Sequence, residues 1–175
     1  CAGLVFSLCP SCGFSELSRC DGSANEPFGG LVGSFAVGVR LVTNAAYTYF
    51  RQQGGGHLAV ISSIAGTKGL GVAPAYSATK RFQNIYIDSL EQLAYMQKLK
   101  IRFTDIKPGF VDTALLDSSE KTYPLLMKPE KVAKIAVNAL NKKRRSVIID
   151  WRYAILTIMW RGIPSCLWKR LPVKN

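Results

Sequence analysis

The chain has 175 residues, of which 48% are hydrophobic and 19% are charged. A chain of this size buries roughly 70% of the surface that its unfolded form exposes, so it needs no disulfide or metal to hold a core. The composition therefore predicts one globular domain and excludes the disordered, collagen-like and mini-protein classes. No apolar run approaches the roughly 18 residues of a membrane-spanning helix, so we expect none.

The start of the chain is unusual, because Cys1 stands where an initiator methionine is expected and no signal peptide follows it. We expect a fragment, and a mature lipoprotein with a lipidated Cys1 is the alternative. Cys9 and Cys12 form a C-x-x-C, but no second ligand pair or nearby His favours a zinc site. A redox pair is not favoured either, because Gly13 and polar residues follow the motif where a helix would be expected to begin. The odd number of cysteines indicates a reducing compartment, so a cytoplasmic protein is expected.

Positive charge is concentrated at the C-terminal end. The formal net charge is +12, and residues 126–175 carry 12 basic and two acidic side chains, which is +10 of that total. Such a region attracts the phosphate groups of nucleic acid, anionic lipid or a phosphorylated cofactor, unless it is simply solvated surface. Nucleic acid is not expected as a partner.

Apolar periodicity predicts alternating helices and strands after an irregular segment at residues 1–33. The predicted elements are a helix from Phe35 to the glycines 54–56, a strand at Leu58–Ile61, a helix at Tyr76–Gln97, a strand at Ile101–Ile106, a helix at Pro129–Asn141 and a strand at Ser146–Asp150. Helices that alternate with short apolar strands are typical of right-handed crossovers and of an open, mostly parallel α/β sheet.

Three polar side chains of this pattern suggest chemistry. Tyr76 and Lys80 stand at i and i+4 at a helix start, so both project from one face about one turn apart. An ammonium beside a phenol lowers the phenol's pKa, which is ordinarily near 10. Ser63 follows a predicted strand at its carboxyl end, where open α/β sheets bind ligands. The pattern predicts that the three side chains converge on one carbonyl oxygen, although Y-x-x-x-K alone also occurs by chance.

Three segments, Gly56–Ser63, Tyr76–Lys80 and Asp105–Thr113, resemble motifs of the short-chain dehydrogenases/reductases in order and spacing. The resemblance implies a Rossmann-like, doubly wound parallel sheet of which the N-terminal half is missing. The chain then divides into an irregular or unmatched segment at 1–33, the catalytic part of the Rossmann-like domain at 34–150, and an aromatic and basic tail at 151–175.

The same resemblance implies roles for individual residues. Tyr76 would be the catalytic acid/base, Ser63 would orient and polarise the substrate oxygen, and Lys80 would tune Tyr76 and hold the nicotinamide ribose. Val111 and Thr113 match positions that hold the carboxamide side of the ring. The residues implied in binding NAD or NADP are Tyr76, Lys80, Pro108, Gly109, Val111 and Thr113; no metal is implied.

The sequence also departs from the family pattern. The glycine-rich turn that carries the pyrophosphate does not occur in it, so we expect the isolated chain not to bind NAD(P) measurably. The strand that selects NAD or NADP is missing as well. The family's helix asparagine, which completes its proton relay, is expected near Ser34 or Phe35, and neither is Asn.

The resemblance implies a reductase or dehydrogenase that interconverts a carbonyl and a secondary alcohol with NAD(P)H. An epimerase or dehydratase that uses the same Tyr/Lys pair is one alternative, and a non-catalytic binding or membrane-associated protein is another. A homodimer or homotetramer is expected, with helices 35–52 and 76–97 as the dimer surface. Tyr47, Tyr49 and Ile87 would supply apolar area there.

The tail at 151–175 combines three tryptophans with basic residues and contains Pro164, which prevents one continuous helix. Aromatic and cationic residues together are typical of a segment at a membrane surface, where an apolar substrate such as a lipid, steroid or retinoid would be met. A substrate-pocket lid or a core helix is the other interpretation.

Overall fold

The computed structural model describes residues 3–6, 28–112, 123 and 125–171, with side chains from residue 36 onward. Its elements in chain order are strand β1 (Gly3–Phe6), helix α1 (Phe28–Gln52), strand β2 (Gly56–Ile61), a 3₁₀ turn (Ile64–Thr67), helix α2 (Pro74–Met96), strand β3 (Ile101–Lys107), helix α3 (Pro129–Asn141), strand β4 (Ser146–Ile148), helix α4 (Trp151–Gly162) and the short helix α5 (Ser165–Trp168). Within these residues no helix is both long and apolar enough to cross a membrane.

The strands form one parallel sheet in the order β1-β2-β3-β4. Leu58 of β2 lies opposite Leu4 of β1 and Phe103 of β3. Because all strands run the same way, their carboxyl ends lie along one edge, and the loops that follow β2 and β3 are neighbours there. The predicted parallel α/β sheet is confirmed.

Side chains of β3 alternate between two apolar clusters. Ile101 and Phe103 belong to the cluster that packs against α1 and α2, whereas Ile106 belongs to the cluster that packs against α3 and α4. Successive side chains of a strand point to opposite faces of a sheet. Helices therefore cover both faces, which confirms the predicted doubly wound arrangement.

Two predicted boundaries near the N-terminus are wrong. Helix α1 begins at Phe28 rather than Phe35, and β1 lies within the segment that was expected to be irregular. Strand β1 has only four residues, and it pairs with β2, which lies about fifty residues further along the chain. This pairing is a tertiary contact, and a short apolar run gives no periodicity from which to predict it.

The last predicted strand ends early. Strand β4 stops at Ile148, because Asp150 is the N-cap of α4 and its carboxylate accepts a hydrogen bond of 2.9 Å from the Arg152 backbone N–H. Pro164 separates α4 from α5, as the sequence predicts. The glycine stop after α1 is also confirmed: Gly54 has a φ of +76°, and a Cβ on Gly56 would lie 2.0 Å from the Phe50 ring.

The residues that were expected to supply a dimer surface divide into two groups. Tyr47 and Ile87 are 4% and 1% exposed and belong to the core, so this part of the prediction is wrong. Tyr49 is exposed, as are Val37 and Leu41 of the same helix. The sequence predicted the helices correctly, but it did not show which side of each helix faces the sheet, because that depends on packing.

Candidate functional site

The Ser63 side chain lies at the carboxyl end of β2. It is buried, and as the N-cap of the 3₁₀ turn its Oγ accepts a hydrogen bond of 3.1 Å from the Ala65 N–H. The same hydroxyl lies 3.4 Å from the carbonyl oxygen of Pro108, in the loop that follows β3. The Ile64 N–H donates to that carbonyl oxygen at 3.1 Å. These contacts hold the two loops side by side.

Tyr76 and Lys80 lie on the first turns of α2, as predicted, and face this edge. The Lys80 Nζ is 5.6 Å from the centroid of the Tyr76 ring. Tyr76 is half-buried and interacts through a hydrogen bond with the Ser63 side chain, while Lys80 is buried. The structure therefore brings together the three side chains that the sequence singled out.

The pKa of Tyr76 differs from the sequence-based expectation. Burial raises this pKa above its ordinary value of 10, and the hydrogen bond with Ser63 only partly opposes the rise. The expected net lowering of this pKa is wrong for this structure, because loss of water around the phenol outweighs the hydrogen bond with Ser63. Tyr76 is therefore protonated at neutral pH and is able to donate a proton.

Lys80 is a buried cation whose environment favours the neutral amine. Burial lowers the pKa of Lys80 to about 8, and the negative charge of Asp105 opposes this shift. At pH 7 most of the population is still protonated. The side chain is thus a cation close to its titration point, held beside a phenol that is not ionised.

A buried carboxylate below the site was not singled out from the sequence. Asp105 is 1% exposed; its Oδ1 accepts from Ser62 Oγ at 2.5 Å, and its Oδ2 accepts from Asn84 Nδ2 at 2.8 Å. Lys107 Nζ forms an ion pair with the same Oδ2 at 2.6 Å. An aspartate within a strand predicted to lie in a sheet covered on both faces is the signal that was available, because such a charge is buried only with partners.

The Asp105 carboxylate connects the end of β2, strand β3 and helix α2. Asn84 Nδ2 also donates to Ser62 Oγ at 2.9 Å, which closes the network. Gly66 then packs directly on α2, since a Cβ there would lie 2.7 Å from the Lys80 carbonyl oxygen. The loop that carries Ser63 and the helix that carries Tyr76 therefore have a fixed separation.

Several contacts hold the loop after β3, which contains most of the proposed cofactor residues. Val111 forms a parallel bridge with Met127, and the Phe110 N–H donates to the Tyr153 hydroxyl oxygen at 3.2 Å. A Cβ on Gly109 would lie 2.2 Å from the Tyr153 ring, so packing against α4 requires glycine there. Thr113 lies outside the described residues, as do the side chains of Ser34 and Phe35.

The C-terminal helices contact the loop between Ser63 and Tyr76. Trp160 Nε1 donates to Thr67 Oγ1 at 2.8 Å, and Trp168 Nε1 donates to the Gly69 carbonyl oxygen at 2.8 Å. Lys68 Nζ donates to the Ile163 carbonyl oxygen at 2.8 Å and lies 5.3 Å from the Trp168 ring centroid. The inner side of α4 is therefore part of the core, as one of the two interpretations of the tail predicted.

A cleft of about 590 Å³ lies between the loop that joins Ser63 to α2 and α2 itself. Its α2 wall consists of Pro74, Ser77, Ala78 and Arg81. These positions are on the side of the helix away from Tyr76 and Lys80, so the cleft is not the space into which the catalytic candidates face.

Comparison with known proteins identifies the family. A family profile described as short chain dehydrogenase matches residues 25–124, which is more than half of the chain. An uncharacterized oxidoreductase of Myxococcus xanthus is 28% identical over 138 residues, covering 79% of this chain and 54% of that protein. The sepiapterin reductase of Chlorobaculum tepidum is 25% identical over 147 residues, covering 83% of this chain and 59% of the reductase. The chain thus spans somewhat more than half the length of these curated relatives.

Solved structures agree on the fold. A short-chain dehydrogenase from Sphingobium yanoikuyae in complex with NADPH superposes with a TM-score of 0.65 at 17% identity, over 88% of this chain and 61% of the other. One from Burkholderia cenocepacia in complex with NADP gives 0.58 at 17% identity, over 78% and 53%. With the profile match, the parallel sheet and the Tyr76–Lys80 helix beside Ser63, this chain belongs to the short chain dehydrogenase family.

Proposed function

We propose that the whole protein is an oxidoreductase that interconverts a carbonyl and a secondary alcohol with NAD(P)(H), and that Tyr76 is its acid/base. The observation that carries this proposal is the convergence of Ser63, Tyr76 and Lys80 at one edge of the sheet, with Tyr76 kept protonated by burial. A buried acid beside a hydroxyl and a cation suits proton transfer to a carbonyl oxygen.

In the reducing direction each residue has one task. Ser63 donates a hydrogen bond to the carbonyl oxygen and fixes its position, and Tyr76 donates the proton that turns this oxygen into a hydroxyl. Lys80 stabilises the phenolate that remains on Tyr76. When bound, NAD(P)H supplies the hydride that reaches the carbonyl carbon.

The donor set of the site fits the ribose of a nicotinamide nucleotide. The Lys80 ammonium and the Tyr76 hydroxyl offer donors on one helix face, and these donors would hold the hydroxyls of the ribose. The loop of Pro108, Gly109 and Val111 lies next to Ser63 and would hold the carboxamide side of the ring together with Thr113. The similar structures from Sphingobium and Burkholderia contain NADPH and NADP, which supports an NAD(P) cofactor.

A homodimer through α1 and α2 is part of the proposal. The outer sides of both helices expose apolar side chains, namely Val37, Leu41, Tyr49, Ile85 and Leu93. A two-fold axis would place each of these faces against its copy and remove this surface from water. Light scattering that shows only monomer at micromolar concentration would contradict the dimer without affecting the catalytic assignment.

The catalytic assignment is tested by Tyr76→Phe in the protein extended at its N-terminus by the glycine-rich half of the fold. We expect turnover of ketones and aldehydes to fall on the order of 10³-fold, because the proton donor is lost, with cofactor affinity nearly unchanged. Tyr95→Phe is the matched control, since Tyr95 lies on the same helix and is 85% exposed. Activity of Tyr76→Phe within a few-fold of the parent would refute the assignment.

The cofactor role of Lys80 is tested separately by Lys80→Met in the same protein. Both turnover and cofactor affinity should fall, because the ammonium is proposed to act on Tyr76 and on the ribose. Fluorescence titration with NADPH measures the second effect. Normal cofactor binding would show that the ribose role is wrong.

A further inference from the structure

The outer face of α4 exposes large apolar side chains to solvent. Trp151, Ile158 and Met159 are 71%, 72% and 66% exposed, and Ile155 is half exposed. Their spacing of i, i+4, i+7 and i+8 places all four on one side of the helix. Such a contiguous apolar stripe on a surface helix marks an interaction site more often than scattered single residues do.

The opposite side of the same helix is already used. Tyr153, Thr157 and Trp160 are buried against the 3₁₀ turn and the loop after β3. The helix is therefore apolar on both sides, but among the described residues only its inner side is packed. Burial against the described part of the chain explains the apolar side chains of the inner side and not those of the outer side.

Basic residues surround the exposed stripe. Arg152 and Arg161 flank it on opposite sides of the helix, given about 100° of rotation per residue. Lys169 and Arg170 follow α5 and are exposed, as are the apolar Leu167 and Leu171. Residues 151–175 contain no Asp or Glu. The Arg152 guanidinium is paired with the Asp150 carboxylate at 3.0 Å, so Arg161, Lys169 and Arg170 supply the net positive charge. The outer face of α4 is thus an apolar surface in a positively charged segment.

We propose that this surface, the outer face of α4, docks the protein onto an anionic lipid bilayer, with the exposed basic segment 167–171 that follows in the chain adding positive charge. A helix of 12 residues is too short to span the roughly 30 Å apolar core of a bilayer, so it would lie in the plane of the interface. Trp151 then sits at the headgroup level, and Arg161, Lys169 and Arg170 contact lipid phosphates.

Charge complementarity favours lipid over a second copy of the chain. Two copies joined through this face would bring two positively charged segments together, and Asp150 at the start of α4 is already paired with Lys131 and Arg152, so the contact costs free energy. A bilayer surface supplies the missing negative charge and the apolar phase at once. The proposal is independent of the oxidoreductase assignment, because none of these residues belongs to the catalytic edge.

Vesicle sedimentation with the full 175-residue chain tests the proposal. We expect it to pellet with vesicles in which about one third of the phosphatidylcholine is replaced by phosphatidylglycerol, and to pellet much less with phosphatidylcholine alone or at high salt. Lys169→Gln with Arg170→Gln should weaken partitioning by about fivefold for each charge removed. The exposed pair Lys142→Gln with Lys143→Gln is the control for net charge, and an equal loss in that pair would contradict the assigned surface.

The apolar stripe has its own matched control. Ile158→Ser with Met159→Ser should abolish pelleting, whereas Tyr95→Ser with Met96→Ser, an equally exposed apolar pair on α2, should leave it unchanged. Tryptophan emission should shift to the blue with anionic vesicles, and Trp151→Phe should remove most of that shift. Equal pelleting of the two double variants would overturn the proposal.

Sedimentation velocity without lipid separates the remaining possibility. If this face instead joins two copies, the parent will be an oligomer that Ile158→Ser with Met159→Ser converts to a smaller species, while vesicle binding is absent. That result would refute lipid docking in favour of an interface between copies. An unchanged sedimentation coefficient together with lost pelleting supports the bilayer.

Discussion

At the carboxyl edge of β2 and β3, polar side chains are buried, whereas on the outer side of α4, large apolar side chains are exposed. The buried polar groups are Ser62, Ser63, Lys80 and Asp105, and the exposed apolar groups are Trp151, Ile155, Ile158 and Met159. Both regions depart from the usual distribution of residues between core and surface, in opposite directions. Burying polar groups and exposing apolar groups both cost free energy, and the two costs are offset in different ways.

At the buried edge the offset lies within the chain. Asp105 has hydrogen bonds or ion pairs with Ser62, Asn84 and Lys107, so its charge is not left unpaired. On α4 the described part of the chain supplies no such offset, and in our proposal a lipid surface covers the exposed face from outside. Buried polar groups that have partners within the chain indicate a rigid site for chemistry. An exposed apolar face indicates a surface for association.

The largest expected effect on stability is that of Asp105→Asn. Removing the buried negative charge leaves Lys107 and Lys80 without their counter-charge, and we expect the free energy of unfolding to fall by about 4 kcal/mol. Asp88→Asn is the matched control, because Asp88 forms an exposed ion pair with Arg145 and should lose less than about 1 kcal/mol. Urea unfolding measures the free energy of unfolding of both variants. Equal losses would show that the buried network stabilises the fold no more than an exposed ion pair does.

The pH dependence of stability should report the burial of Lys80. Its folded-state pKa of about 8 lies below its ordinary 10.5, so the unfolded chain binds more protons between these values and stability gains from this group as pH rises through that window. The gain is about 3 kcal/mol at most. Comparing urea unfolding of the parent and Lys80→Met between pH 7 and pH 10 isolates the effect, and parallel pH profiles would contradict it.

Gly109 packs against the inner side of α4, which offers a test of how the loop after β3 is connected to this helix. Gly109→Ala would push a Cβ into the Tyr153 ring of α4, and we expect a loss of about 2 kcal/mol through overpacking. Gly71→Ala is the control, since nothing lies within 4 Å of its added Cβ. Thermal unfolding compares the two variants. A neutral Gly109→Ala would mean that α4 is not packed on the loop after β3.

The smallest expected effect is that of Ile158→Ser with Met159→Ser on stability. Because both side chains are mostly exposed, the free energy of unfolding should change by less than about 1 kcal/mol. The same measurement therefore serves as the folding control for the lipid experiment. A large loss would place these side chains in an interface of the folded chain and remove the contrast between the two regions.

Local periodicity explains what was predicted correctly. The helix expected at Pro129–Asn141 has these limits in the structure, and Tyr76 and Lys80 share a helix face because an i, i+4 spacing requires it. The order of helices and strands fixed the parallel sheet, and its carboxyl edge placed Ser63 beside them. Each of these inferences uses residues close together in the sequence or a general rule of chain topology.

The sequence by itself thus determined the α/β class, the family motifs and the three candidate catalytic residues. Only the tertiary structure decided that β1 joins the sheet, that Asp105 bonds to Ser62 across 43 residues, and that Trp160 contacts Thr67 across 93. It also decided the direction of the Tyr76 pKa, since the amount of water removed from a phenol depends on all the elements packed around it. Spacing encodes which side chains share a face, whereas burial is a property of the assembled fold.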